Sequence, residues 1–485
     1  SRKFFNWRRI ENAIYMRREN APTAKRRAIR NKNIKKHVEK KSGRESARTR
    51  KKKVKTMKKF ATSCALCALL AAAKAADVSL PYGNAGLDYM SDKINSADND
   101  LQEQTGVSFF FNYYSVLVCN PYGGAAQGTN YTGEMLFGLD FDLEKQIGWK
   151  GGAFTISGAY STGANLSDKI GNFFTASESY VTNGAAFYEM YFTQSLDTRA
   201  GSIEVNFGRM SMSDVFMALP VMGYLVSGGA DSTPEAIFYN SPFTSSPQAT
   251  WGVNVQYSPS EEITFAAGLY QAPQSLSDAN WNGTEFGIHA DDGYMALFQA
   301  SWSPEFFAKT EAGGKEIAGT GLQGLYQIGG YFFGGYEGLT DYSGGDRGSG
   351  YGFWIQGQQM IWRDSDAPYR HVSIWGGMQY APVQSISTMP LMFYAGVQLQ
   401  GFVPRRSQDG IYFSWLYGSF NSKYGYGQGA ESYSATYEMV VEATYVIQLN
   451  ENISIQPDFQ YIFRPNGNSD IDDALVIGGQ LIVSF

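Results

Sequence analysis

Polar side chains recur at even positions near the end of the chain: Glu438, Glu442, Thr444 and Gln448 in one stretch, then Ser454, Gln456, Asp458, Gln460 and Arg464 in the next. Along an extended backbone such a series lies on one face. Donors and acceptors at two-residue spacing can replace the hydration of a small hydrophilic solute. Catalytic groups are harder to find. From Ala76 onward the only histidines are His289 and His371, with no paired-histidine metal spacing and no Gly-x-Ser-x-Gly nucleophile turn. Glu261-Glu262 and Asp291-Asp292 read as solvated loop charges, because nothing sets them against each other. No enzyme activity, metal or cofactor is expected, and a calcium site in the acidic loops has no motif behind it.

The odd positions of the same stretches carry the complementary pattern. Tyr437, Met439, Val441, Ala443, Tyr445, Ile447 and Leu449 share one face, as do Ile453, Ile455, Pro457, Phe459, Tyr461 and Phe463, with a tight turn at Asn450-Glu451-Asn452 between them. Lipid on one side and water on the other account for both faces. Similar runs occur at 106–118, 131–144, 151–160, 185–196, 201–210, 251–258, 262–271, 294–303, 322–334, 351–363, 372–382, 391–403 and 410–420, and the closing stretch ALVIGGQLIVSF completes the set. The expected fold is all-β, a transmembrane antiparallel up-and-down β-barrel of about 16 strands, wide enough for an aqueous lumen. Longer connections at 161–184, 211–250, 272–293, 304–320, 337–350 and 421–434 read as loops facing outward or folding into that lumen.

Composition divides the chain into segments. Gly 54, Tyr 32 and Phe 32 suit a β protein. Residues 1–56 hold 22 of the 40 Lys and Arg and only 4 of the 45 Asp and Glu, whereas residues from Ala76 onward hold 15 basic against 41 acidic, a net −26. The basic stretch 1–56 is read as an upstream extension absent from the mature protein rather than a nucleic-acid-binding arm. Residues 57–75 read as a signal peptide: Met57-Lys58-Lys59, an apolar run, then Ala73-Lys74-Ala75. Residues 76–105, with Leu87, Met90, Ile94 and Leu101 loosely at helical spacing, form a periplasmic or plug-like lead-in, and 106–485 the barrel. After cleavage Cys119 stands alone, so no intramolecular disulfide is expected.

Several segments resemble the carbohydrate-selective porin family, OprB: GLDFDLEKQIGWKGG, FGRMSMSDVF, PRRSQDGIYFSWLYGSF and the last fifty residues. The resemblance implies a sixteen-stranded outer-membrane channel, exported across the inner membrane, for passive diffusion of sugars. It also implies a lipid environment, recognition of terminal Phe485 by the outer-membrane assembly machinery, and a monomer or homotrimer. A general or cation-favouring porin is the alternative, and the acidic balance suits it. Arg209, Asp214, Arg405, Arg406 and Asp409 match marked family positions. They either set a field across a narrow passage or tie an infolded loop to the wall. Asp140, Asp142, Glu144 and Lys145 read as turn charges. Trp354, Trp362 and Trp375 point inward by parity, where an indole face could carry a pyranose, although tryptophan also populates barrel girdles.

Overall fold

The computed structural model describes residues 85–485 except 178–182, 278–280, 310–318, 337–338, 340, 343–347 and 426–432. The upstream extension, the signal peptide and residues 76–84 of the lead-in lie outside the described residues. The lead-in that is described forms one helix, α1 (Ala85–Thr105).

Sixteen strands follow: β1 (Val107–Tyr122), β2 (Gly128–Asp142), β3 (Gly152–Gly163), β4 (Gly184–Thr198), β5 (Gly201–Met210), β6 (Thr250–Ser258), β7 (Ile263–Ala272) and β8 (Gly293–Trp302). The second half comprises β9 (Leu322–Gly334), β10 (Ser349–Arg363), β11 (His371–Tyr380), β12 (Leu391–Gln400), β13 (Gly410–Ser419), β14 (Tyr437–Gln448), β15 (Ile453–Phe463) and β16 (Ala474–Ser484). Each pairs antiparallel with its sequence neighbour. The sheet closes through β1 and β16, with Asn112 opposite Ser484 and Cys119 opposite Ile477. Closure removes both free edges, so each strand has a partner on both sides, as a membrane interior demands.

Alternation divides the wall into two surfaces. Leu117, Phe137, Leu139, Phe298, Ile328, Phe353, Ile355, Val441 and Ile455 are exposed on the outside, while Asn112, Thr132, Asn254, Gln299, Gln356, Glu442 and Gln460 are buried within. Aromatic residues ring both ends. At one end Phe141, Phe154, Phe192 and Phe207 form a chain with centroid separations of 5.8, 4.7 and 5.3 Å. At the other, Tyr417 stacks on Tyr437 at 5.3 Å and Tyr461 meets Phe463 at 4.7 Å. Such girdles mark the two membrane interfaces.

Connections 199–200, 259–262 and 449–452 are short and lie at the same end as α1 and Phe485, the periplasmic end by the usual barrel orientation. The opposite end carries the longest, 211–249. That segment enters the lumen. Its Met212, Phe216, Met217, Leu225, Val226, Ile237, Phe238 and Phe243 join inward wall residues Met295, Trp354, Trp375 and Leu416 in one buried cluster. Only Asp214, Pro220 and Tyr224 of the segment are exposed.

One inward expectation needs correcting. Trp354 and Trp375 are inward and covered, but Trp362 is 43% exposed on the outside and packs at 5.8 Å on Phe402. The cause is a bulge: Met360 pairs with Ser373 and Trp362 with Val372, leaving Ile361 unpaired. One inserted residue reverses parity for the rest of the strand, which sends Trp362 to the girdle.

Candidate functional site

The C-terminal polar series faces inward as its spacing predicts, and most of it binds protein. Glu438 is fully buried and its carboxylate accepts from the backbone N–H of Phe173 at 2.7 Å, of Phe174 at 2.6 Å and of Asn466. Glu442 accepts from Val226 N–H at 2.7 Å and Ser227 N–H at 3.0 Å, with Ser414 and Thr444 hydroxyls at 3.2 Å. Asp458 accepts from Thr444 at 2.8 Å and from the Gln460 amide at 2.8 Å, and Gln460 also donates to Ala176 O at 2.9 Å. Gln456 lies opposite Gln480, both inward and covered.

These bonds have a shared logic. A chain segment inside a barrel has no strand partner for its N–H groups, so each must find an acceptor. A carboxylate is the strongest side-chain acceptor, and several donors converging on one offset its burial. The same device recurs on the infolded segment: Glu235 accepts from Thr175 N–H at 2.8 Å, and wall residue Glu189 from Ser211 N–H at 3.3 Å.

Arg209, at the end of β5, is 3% exposed and donates to Glu285 O at 2.7 Å, with Trp281 and Phe286 rings 5.6 and 5.3 Å from its guanidinium. It secures the 273–292 loop. Asp214 stands apart from it, exposed in the first turn of the infolded segment. Arg405, Arg406 and Asp409 sit in the periplasmic turn between β12 and β13, away from that segment. There Arg406 makes a twofold bond to Asp409 at 2.9 and 2.9 Å and donates to Gln448 O at 2.9 Å. Asp409 also accepts from Gln448 N–H at 3.0 Å and from the Tyr445 hydroxyl. Hydrogen bonding to Asp409 raises the Arg406 pKa above its ordinary value. Arg405 adopts a left-handed φ of 64° in the same turn.

Arg464 departs from its inward expectation. β15 ends at Phe463, and Arg464 takes a left-handed φ of 51°. Its guanidinium therefore leaves the alternation, lies 4.9 Å over the Tyr437 ring and donates to Thr436 at 2.9 Å.

Sequence reasoning missed the residues on the other half of the wall. From β6 to β12 the inward side carries Gln256, Gln299, Gln327, Gln356, Gln358, Gln379, Gln398 and Gln400. On β6 to β9 and on β12 no inward position is charged. The signal was available as glutamine at alternate positions, but these strands lack the strict apolar partner face of the C-terminal pair. Beside the amides, Trp354 lies across Gly329 and Trp375 across Gly396, each glycine being the opposed residue on the next strand. A Cβ at those positions would sit 2.2 and 2.3 Å from the indoles. Tyr224 of the infolded segment stacks on Tyr412 at 4.9 Å.

A closed sixteen-stranded wall, polar within and narrowed by one long infolded segment, is a porin architecture. The profile of the carbohydrate-selective porin, OprB family matches residues 126–485. The chain belongs to that family. Porin B of Pseudomonas aeruginosa is 24% identical to it over 425 residues, covering 79% of this chain and 88% of the relative. A putative porin, QuiX, of Acinetobacter baylyi is 23% identical over 418 residues, covering 79% and 90%. The structure of Pseudomonas putida OprB at high pH superposes with a TM-score of 0.69 at 20% identity, covering 80% of this chain and 96% of that one. As an OprB-family barrel the protein is an outer-membrane porin, set in lipid, with a fold that forms a channel rather than a catalytic cleft. Among the described residues no cluster of His, Cys, Asp or Glu could hold a metal ion.

Proposed function

We propose that this porin passes small hydrophilic solutes by passive diffusion and favours carbohydrates among them. The supporting observation is the division of the inner wall. Carboxylates of β4 and β14 are committed to the backbone of infolded segments, and so are the amides of Gln299 and Gln358, whereas Gln256, Gln398 and Gln400 on the inward side of β6 and β12 are half-buried and hold no infolded backbone. Amides donate and accept without charge, so they can exchange hydrogen bonds with a neutral polyol and do not select ions by a fixed field. Nothing in the route needs an energy source. Family membership and the relative named Porin B agree with the reading.

A general or cation-favouring porin is the second reading, supported by the net −26 from Ala76 onward. Single-channel recording in planar bilayers separates the two. Glucose and maltose-type sugars should block the current in a concentration-dependent way, and open channels indifferent to every sugar would remove the carbohydrate preference. Replacing half-buried Gln256 and Gln398 by alanine should weaken sugar block about tenfold, since two hydrogen bonds together contribute about 1.4 kcal/mol.

A further inference from the structure

α1 presents three different faces. Ser91, Asn95 and Asp98 face the barrel: Ser91 bonds Asn450 at 3.0 Å, Asn95 bonds Glu451 at 2.8 Å and Asn452 at 3.1 Å, and Asp98 accepts from Phe109 N–H at 2.8 Å. Lys145 Nζ holds the last turn through Gln102 O at 2.8 Å and Glu103 O. The helix thus runs along the periplasmic rim, from the β14–β15 turn past the ends of β16 and β1 to the β2–β3 connection.

A second face is apolar and uncovered. Leu87, Met90, Ile94, Ala97 and Leu101 follow a three-four spacing that places them on one stripe. Leu87, Met90 and Leu101 are 41, 58 and 37% exposed. The third face, opposite the stripe, carries Asp88, Asp92, Asn99 and Glu103. Docking through polar side chains while leaving the apolar stripe open is the reverse of a helix packed onto a soluble core.

Continuity identifies what covers the stripe. Ile94 shares a groove of about 600 Å³ with Phe109, Phe111, Phe137, Leu139 and Phe485, and Phe137 and Leu139 belong to the outer surface of the wall that lipid covers. The stripe extends that surface past the last strand residues. We infer that α1 is an interfacial helix whose stripe of Leu87, Met90, Ile94, Ala97 and Leu101 lies in the acyl boundary of the periplasmic leaflet. Its barrel face fixes the depth and its acidic face meets water. The helix holds Asp88, Asp92, Asp98, Asp100 and Glu103 against one lysine, Lys93, so it favours zwitterionic over anionic headgroups. The inference rests on membrane placement of the barrel and is independent of solute preference.

Quenching by brominated acyl chains tests it. The variant M90W, reconstituted in vesicles of phosphatidylcholine brominated near the headgroup, should lose most of the emission it adds over the parent. The loss should be smaller when half the lipid is phosphatidylglycerol. Added emission that survives brominated lipid would place the stripe in water and overturn the inference. Efficient bismaleimide cross-linking of M90C between copies, in a Cys119→Ser background, would overturn it in favour of a second copy of the chain. As a check that the barrel folds, both variants should retain the parent's heat-modifiable gel mobility.

Discussion

Glu438 shows how a single residue can be read correctly in direction and still serve a different end. Two-residue spacing placed it inward, as it did Glu442, Gln456, Asp458 and Gln460. Spacing along one strand carries no information about a segment more than 200 residues earlier that arrives to use the carboxylate, as Phe173 and Val226 do. Glu438→Gln keeps the size but replaces one accepting oxygen with an NH2 group facing backbone donors. At least one of Phe173, Phe174 and Asn466 then loses its acceptor. Charge-assisted bonds contribute about 1.5–3 kcal/mol each, so the thermal midpoint in detergent should fall by several degrees. The current should also become noisier as the 164–183 connection loosens. The Arg405→Ala, Arg406→Ala double variant should behave in the opposite sense. It removes the clamp on Asp409, hence some stability, but sits in a periplasmic turn and should leave unit conductance close to that of the parent. A large conductance change would restore the pair to the passage wall.

At the scale of elements the strands were legible and the loops were not, for one physical reason. A transmembrane strand must turn one face to lipid and the other to the lumen, so its environment is written into its own alternation. All sixteen expected runs correspond to observed strands, two of them, Gly201–Met210 and Leu322–Gly334, at the expected limits. The loose helical spacing of Leu87, Met90, Ile94 and Leu101 suited either a short helix or an extended lead-in, and these residues lie in the helix α1. The 211–249 segment has no period, because its partners lie on β4, β8, β10 and β14, and its descent into the lumen is a tertiary fact. The bulge at Ile361 fails in between: alternation continues through it in the sequence, and only pairing with β11 exposes the extra residue. This makes a sharp test. Deleting Ile361 closes the bulge and leaves Trp362 opposite Val372 and Arg363 opposite His371, so both side chains keep their present sides of the wall. The yield of heat-modifiable barrel should stay close to the parent's, as it should for Trp362→Phe, which keeps a girdle aromatic. A several-fold drop on deletion would mean that the extra residue does more than set the parity of the residues after it.

The molecule as a whole depends on one pairing unlike the rest. Fifteen strand pairs join sequence neighbours, but β1 and β16 meet across almost the entire barrel sequence, Asn112 with Ser484. Bringing such distant ends together costs on the order of 5 kcal/mol in loop entropy, and it must succeed for either edge to be satisfied in lipid. The final strand is built to fix that register. Ile477 faces outward, while Val476, an apolar exception to the alternation, joins the lumenal cluster and Ile482 packs against the inward cluster of Tyr114, Leu136 and Tyr188. A one-residue slip would exchange Ile477 with Gln480-side polarity and unseat both. Phe485 extends the ladder past the last strand residue: its N–H donates to Phe111 O at 2.8 Å and its carbonyl accepts from Phe111 N–H at 3.0 Å. Its side chain also borders the groove beneath α1. Deleting Phe485 therefore removes two hydrogen bonds, about 1–2 kcal/mol together, from the step that closes the barrel, and leaves the distant lumen untouched. In cells the amount of folded protein in the outer membrane should fall several-fold. Channels refolded from the purified deletion variant should show the parent's unit conductance. Normal assembly in cells, or an altered conductance in the channels that form, would separate the terminal residue from closure.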